Sequence, residues 1–579
     1  MKKYLVMSKL TKRNLMYMAI SVAVNLLLAA IAIFAFGVRY STDDDVSMSY
    51  IAYGIYMDPS ARIVFSNVVI GWLMKILFAV KSTINWQIPL YYAGLCASGY
   101  ISLYEVMKTR KPKLYMLWMV FVITFFFCSY VSITFTVVSA YVCCLGYLAF
   151  FLSIQEKNRI CMILSGLVIV YASLIRFESV MAMSMSVTVS WAVIVVSFIL
   201  KEGKIELKEI AKKYIQPFVI VVVAMGLFYI GDKIAYMPEE WASYYEYNLL
   251  RGEVLDDCSV VNMNDEKRQR ELGISKPMAD TLNAWYFNDP EVFDKDLFGE
   301  IDRVSTELRG EYVKSPIRDT FFSVGRIIKD KTMIKVSIVI LCLLILNASL
   351  QRNKKKWIKI ICLILSIVPF LVQIFAYCFM GRYSDVVAKE LPVRIVEITI
   401  MGFCMSFIII EACFEETAEL ASYNKKMSLI LLCIGLMFPV IAQVKEHYDI
   451  MGFSLKSESM IEEQYSFLND GHIYVGEFRA LQMFMNEYRV WQNPPRGYLY
   501  NFIPLGGCEI NYPYLVEKQK NLGANNPYKS LYTNDNVYLL TVDYPELELN
   551  YLRDMYDTSI ECEQVAEYSG LKVYNFINH

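Results

Sequence analysis

The chain has 579 residues, 56% hydrophobic and 14% aromatic, with a formal net charge of −1 and a mean hydropathy of +0.37. That balance, gathered into apolar runs near 20 residues, places it among polytopic membrane proteins and excludes the broad positive field of a nucleic-acid binder. Most of the 14 cysteines lie in apolar segments, Cys143, Cys144 and Cys342 among them, and no CxxC or Cys/His spacing signals a metal finger or a disulfide framework.

The N-terminal "MKKYLVMSKLTKRN" has the basic character of a signal-peptide n-region. The run behind it, 15–37, is too long for an h-region and lacks a small-residue cleavage site, so it is expected to remain as a first span. Further apolar runs lie at 63–80, 87–107, 114–129, 131–153, 160–175, 179–200, 214–231, 334–349, 357–379, 393–413 and 427–445. Basic stretches at 2–13, 108–113, 155–159, 201–213, 351–356 and 424–426 fall on the cytoplasmic side if even numbers of spans separate them. The run 63–80 breaks that parity, and it is short with Lys75 near its middle. A charge at mid-bilayer is costly, so an interfacial helix at the outer leaflet is expected there. The rest predict a polytopic α-helical membrane protein of about 11 transmembrane helices over 1–445, with its N-terminus cytoplasmic.

Residues 38–62, 232–333, 380–392 and the tail 446–579 would then face outward, with the tail extracellular. In the tail, "HIYVG", "GYLYNFI", "NVYLLTVDY" and "LKVYNFI" read as strands and "YPELELNYLRDMY" as a helix. Turn clusters separate them, so a small extracytoplasmic α/β or α+β domain is expected, closed by "GLKVYNFINH".

Four constellations carry chemistry. In "YSTDDDVSMSYIAYG", Asp43, Asp44 and Asp45 stand together just after the first span. Adjacent carboxylates raise one another's pKa unless a cation or a reacting group relieves them; the plain alternative is a solvated helix cap. In "SLIRFES", Arg176 and Glu178 are nearly the sole charges between two apolar runs, which suits a polar cavity or a snorkelling local pair. "FMGRYSDVVAKELPVRIVE" supplies Arg382 and Arg394, whose guanidinium forks match a phosphate, or which anchor lipid headgroups. "WASYYEYNLLRGEVLDD" sets Trp241, Tyr244, Tyr247, Asn248 and Arg251 on one helical face. Such a face suits a sugar or an acceptor, and equally suits packing.

Acids after span one, a membrane-parallel helix behind them, many spans and an outer C-terminal domain together resemble the GT-C superfamily of membrane glycosyltransferases. "TDDDVSMSYIAYG", "SLIRFES", "WASYYEYNLLR" and "GRYSDVVAKELPVR" are similar to stretches of uncharacterised multi-span GT-C-like proteins of Gram-positive bacteria. The resemblance covers roughly 10–445 and leaves the tail unmatched. A proline-rich stretch common in the mannosyltransferase branch is absent.

The resemblance implies transfer of a sugar from a polyprenyl-phosphate donor to a glycan, lipid or protein acceptor at the outer face of the cell membrane. It implies Asp44 or Asp45 as general base, the other orienting substrate or binding a divalent cation; no other cofactor is indicated. Arg382 and Arg394, with Arg176 and Glu178 beside them, would hold the lipid phosphate, and Trp241, Tyr244, Asn248 and Arg251 would contact sugar or acceptor. The competing readings are a flippase of lipid-linked saccharides and a non-catalytic envelope assembly or binding protein. A flippase usually carries charged or broken helices at mid-membrane, and the charges here gather at the boundary.

Overall fold

The computed structural model describes residues 2–55, 57–202, 211–255, 266–312, 316–349, 356–379, 392–414, 461 and 463–578. The apolar run 427–445, Arg382 and the boundary at 445 lie outside the described residues. Every other apolar run lies mostly in helix, and in chain order α1 (Lys2–Ile31), the aspartate-bearing α2 (Asp43–Tyr53), α3 (Val68–Val80), α4 (Gln87–Thr109), α5 (Pro112–Thr124), α6 (Phe135–Gln155), α7 (Arg159–Ile175) and α8 (Phe177–Glu202) come first. Gln216–Ala235, Thr332–Ser349, Lys356–Leu365, Ile367–Phe379 and Val393–Cys413 follow.

By length and apolarity, five helices among the described residues can cross a membrane, or six if the pair Thr320–Lys329 and Met333–Ser349, bent by 80°, is one span. That is fewer than the sequence reading expects: Pro112–Thr124 and Arg159–Ile175 are shorter apolar helices, and the run 427–445 lies outside the described residues. α3 has 13 residues, roughly 20 Å at 1.5 Å per residue, against a hydrocarbon core of about 30 Å. Lys75 donates to the Pro59 carbonyl at 2.8 Å, which partners the charge that argued against a span.

α6 is the axis of the helical region. Its apolar window is wholly buried, and α4, α7, α8 and Val393–Cys413 pack around it. A helix apolar on every side belongs in the middle of a bundle. At one end of the bundle, Glu411 takes Lys359 at 2.7 Å and Lys113 at 2.8 Å. At the other, a short parallel bridge pairs β1 (Arg39–Tyr40) with β2 (Ser132–Ile133). That bridge brings the start of α2 beside the start of α6. Gly54 ends α2 in the left-handed conformation, where a Cβ would sit 2.6 Å from the Pro59 ring.

The tail holds a five-stranded sheet in the order β4-β3-β5-β7-β6, with β3 (Ile473–Gly476), β4 (Phe502–Pro504), β5 (Val537–Thr541), β6 (Glu561–Tyr568) and β7 (Leu571–Ile577). The first three run parallel, and β7 and β6 antiparallel. Parallel neighbours need crossovers, and Phe478–Glu487 supplies one directly after β3. Two details differ from the sequence reading. The expected closing strand is β7, but β6 forms the edge outside it, and only the end of "GYLYNFI" is strand.

The sheet is locked onto the long loop. Leu505 O accepts from Phe287 N at 2.8 Å and Asn288 N at 2.9 Å, and Asn288 Nδ2 donates to Pro504 O at 2.7 Å. Buried Asp289 accepts from Asn526 Nδ2 at 2.8 Å, Tyr551 OH at 2.9 Å and Tyr556 OH at 2.6 Å. Tyr53 OH also donates to Pro494 O at 2.8 Å. At Gly506 the approach is so close that a Cβ would lie 1.7 Å from Trp285 O. Gly506→Ala is therefore expected to cost at least about 1–3 kcal/mol, the usual penalty of overpacking. Thermal unfolding of the purified chain checks this, and an unchanged midpoint would mean the two backbones are further apart.

Candidate active site

The three aspartates occupy the first turn of α2, behind Thr42 as N-cap. Negative charge is favoured at that position because the leading N–H groups are unpaired. The helix then sends the three side chains in different directions. Asp43 is exposed, Asp44 is half-buried and Asp45 is completely enclosed.

Asp44 Oδ2 lies 3.5 Å from Arg394 Nη1, with side-chain exposures of 34% and 35%. Arg394 is the second residue of Val393–Cys413, so this contact joins the start of α2 to a span some 350 residues away in sequence. Both groups stay accessible enough to meet a ligand. Glu397, buried, follows one turn after Arg394 on the same helix.

Asp45 turns inward. Its Oδ1 accepts from Tyr91 OH at 2.9 Å, Phe135 N at 2.9 Å and Gln87 Nε2 at 3.3 Å, and its Oδ2 from Thr42 OH at 2.8 Å. Phe135 begins α6, so Asp45 caps that helix while sitting in the first turn of its own. Burial pushes its carboxyl up to about 7, against the pull of these donors.

Arg176 stands behind this cap. Its guanidinium lies 5.0 Å from the Phe135 ring, donates to Phe65 O at 3.2 Å and pairs with Glu178 at 2.9 Å. Arg176 and Glu178 thus form a local pair next to the acids, and Glu178 remains mostly exposed.

From the other side comes the helix Glu239–Leu255. Trp241 and Tyr244 are buried among tail aromatics: Trp241 is 4.9 Å from Tyr512 and 5.5 Å from Tyr514, and Tyr244 is 5.1 Å from Tyr512. Arg62 covers the Trp241 ring at 4.2 Å. These two rings are enclosed in packing, the alternative that their face equally suited, and neither is open to a sugar. Tyr247 is likewise buried, against Phe298. Further along, Arg251 is buried and donates to Asn248 Oδ1 at 3.1 Å.

The tail completes the wall. Tyr244 OH donates to Cys508 O at 2.7 Å. Burial pushes the Cys508 thiol up, Glu509 and Asp44 push it the same way, and Arg251 opposes them. The charges of Asp44, Arg251 and Glu509 therefore all reach Cys508.

The sequence reading missed the tail's share, because Cys508 and Glu509 sit in a turn, "LGGCEIN", with no periodic signal. It also missed Gln87 and Tyr91. Their signal was available: two polar groups four residues apart at the head of an apolar helix share one face.

A divalent cation does not fit these side chains. Calcium or magnesium asks for several free oxygens, and both Asp45 oxygens already accept hydrogen bonds. Among the described residues, no three His, Cys, Asp or Glu side chains are grouped to hold a metal.

No family model and no curated protein matches the chain. Among solved structures, the crystal structure of ArnT from Cupriavidus metallidurans bound to undecaprenyl phosphate aligns over 96% of this chain and 97% of its own, at 12% identity and a TM-score of 0.36. A likeness at that level fixes neither fold nor activity.

Proposed function

We propose that this chain is a GT-C-like glycosyltransferase that moves a sugar from a polyprenyl-phosphate donor to an acceptor at the extracellular face of the membrane. The observation that carries the reading is the approach of Asp44 to Arg394 at 3.5 Å, both partly open. A displacement at the anomeric carbon needs a base for the acceptor hydroxyl and a cation for the departing phosphate, and this pair offers both. Asp44 is the base in this reading: it takes the acceptor proton as the new glycosidic bond forms. The bond to the lipid phosphate breaks, and Arg394 stabilises the charge left on the phosphate oxygen.

Buried Arg251, whose charge like that of Asp44 reaches Cys508, adds positive potential. Arg382 completes the phosphate grip as the motif resemblance implies, and Arg176 adds charge behind the acids. Asn248, half-buried beside Arg251, is the member of the aromatic face best placed to meet an acceptor. A flippase is disfavoured because these charges sit at helix ends and in loops, away from mid-membrane.

The test is transfer by membranes carrying the protein, using a polyprenyl-phosphate-linked sugar. Arg394→Lys keeps the charge but loses the planar fork. It is expected to weaken donor use by roughly tenfold, equivalent to about 1.4 kcal/mol. Full donor use by the Lys variant would move Arg394 to a headgroup-anchoring role, and no turnover by the unaltered protein would sink the assignment.

A further inference from the structure

We infer that Asp45 is a positioning residue that fixes the start of α2 against α4 and α6 and thereby holds Asp44 at Arg394; this deepens, and rests on, the reading proposed above. Both acids answer equally well to the sequence, since they are adjacent and equally charged. The geometry separates them. A general base must present a free lone pair to an incoming hydroxyl, and the two Asp45 oxygens are enclosed and already take four donors.

Those four donors come from three places in the chain. Thr42 is the N-cap of α2, Gln87 and Tyr91 lie on the first turns of α4, and Phe135 N is the first amide of α6. One carboxylate therefore bonds three helix starts together. Asp44 is the preceding residue, so its bearing toward Arg394 is set by this junction. The β1–β2 bridge a few residues before α2 and α6 supports the same alignment from the backbone.

The distinction is chemical. An amide at position 45 still accepts from Phe135 N, Tyr91 OH and Gln87 Nε2 through its oxygen, and its NH2 donates to the Thr42 hydroxyl, which then accepts. Asparagine should thus replace Asp45 in a positioning role, although it cannot serve as a base. Alanine should not, because it strands buried donors.

The experiment uses the full chain in membranes, with cysteines at 44 and 394 joined by a short bis-maleimide and the product mapped by mass spectrometry. Cross-linking is expected to persist with Asp45→Asn and to be lost with Asp45→Ala. Tyr91→Phe deletes one donor and keeps the ring, so it covers the case of an alanine variant that does not fold; its cross-link should fall, though by less. An undiminished cross-link in Asp45→Ala or Tyr91→Phe would overturn the inference, as would its loss in Asp45→Asn.

The second arm is transfer from a polyprenyl-phosphate-linked sugar in a chain with its native Asp44 and Arg394. Asp45→Asn should stay near the parent, whereas Asp44→Asn should not. If Asp45→Asn falls as far as Asp44→Asn while its cross-link persists, Asp45 is catalytic and the inference fails. The cross-link needs no substrate, so absence of transfer in the parent would overturn the functional reading and leave the junction standing.

Discussion

Asp44→Asn is expected to cut sugar transfer by roughly a hundredfold or more, the range over which a positioned general base contributes. The change keeps the shape of the side chain and removes its basicity. Little folding energy rides on it. Asp44 and Arg394 are each about a third exposed, and a pair that open to water contributes roughly 0–1 kcal/mol. Expression and thermal stability should therefore hold while product formation falls. Asp43→Asn is the control, because Asp43 is exposed in the same turn and should change transfer only mildly. Equal activity in Asp43→Asn, Asp44→Asn and the parent would remove the catalytic reading and favour a binding protein.

Glu548→Gln should make the chain more stable above neutral pH and leave it unchanged near pH 4. Glu548 is fully buried in the helix Glu546–Met555, and among the described residues no other residue gives either of its oxygens a hydrogen bond. Burial, then the charge of Glu477, pushes its carboxyl up to about 8. Asp543 and Glu546 add to that push. Glu477 is buried too, accepts from Thr541 OH and is itself raised. The nearby cation, Arg479, is spent on exposed Asp543 at 3.2 Å.

The folded state therefore binds a proton that the unfolded chain releases near its ordinary value. Stability is full below about pH 4.5, declines as pH rises and levels off above about pH 8, at a slope no steeper than about 1.4 kcal/mol per pH unit. Glutamine never ionises, so the variant should lack that decline. Thermal unfolding of the detergent-solubilised chain between pH 4 and 9 reads the difference directly. Identical pH profiles for the variant and the parent would show that Glu548 reaches water.

The helical runs were legible because a bilayer-length apolar segment writes its own signal, and each run within the described residues lies mostly in helix. The span count was less legible, since runs such as Pro112–Thr124 and Arg159–Ile175 are apolar but short. β6 escaped notice because an edge strand exposed along most of its length, "ECEQVAEY", shows no alternation of apolar and polar residues. The acids were visible as a triplet, but their different burial was not, as it depends on which neighbour faces Tyr91 and Phe135. The Asp44–Arg394 pair could not be read from two isolated motifs; only the fold brings α2 and Val393–Cys413 together. The face of Trp241 and Tyr244 was legible as a stripe, while its partners, Tyr512 and Tyr514, lie in a segment with no such pattern.

The knot around Asp289 has a consequence for biosynthesis. Its three side-chain donors, Asn526, Tyr551 and Tyr556, follow it by 237 to 267 residues. At about 5–20 residues per second of synthesis, they arrive on the order of tens of seconds after the loop that needs them. Several membrane helices are made and inserted in between. Through that interval the long loop carries a carboxylate that has its local bond from Glu291 N but not yet its three bonds from the tail. Its final shape is thus a late, post-insertion event, and the nascent chain must keep this loop hydrated and unaggregated until its last fifty residues emerge.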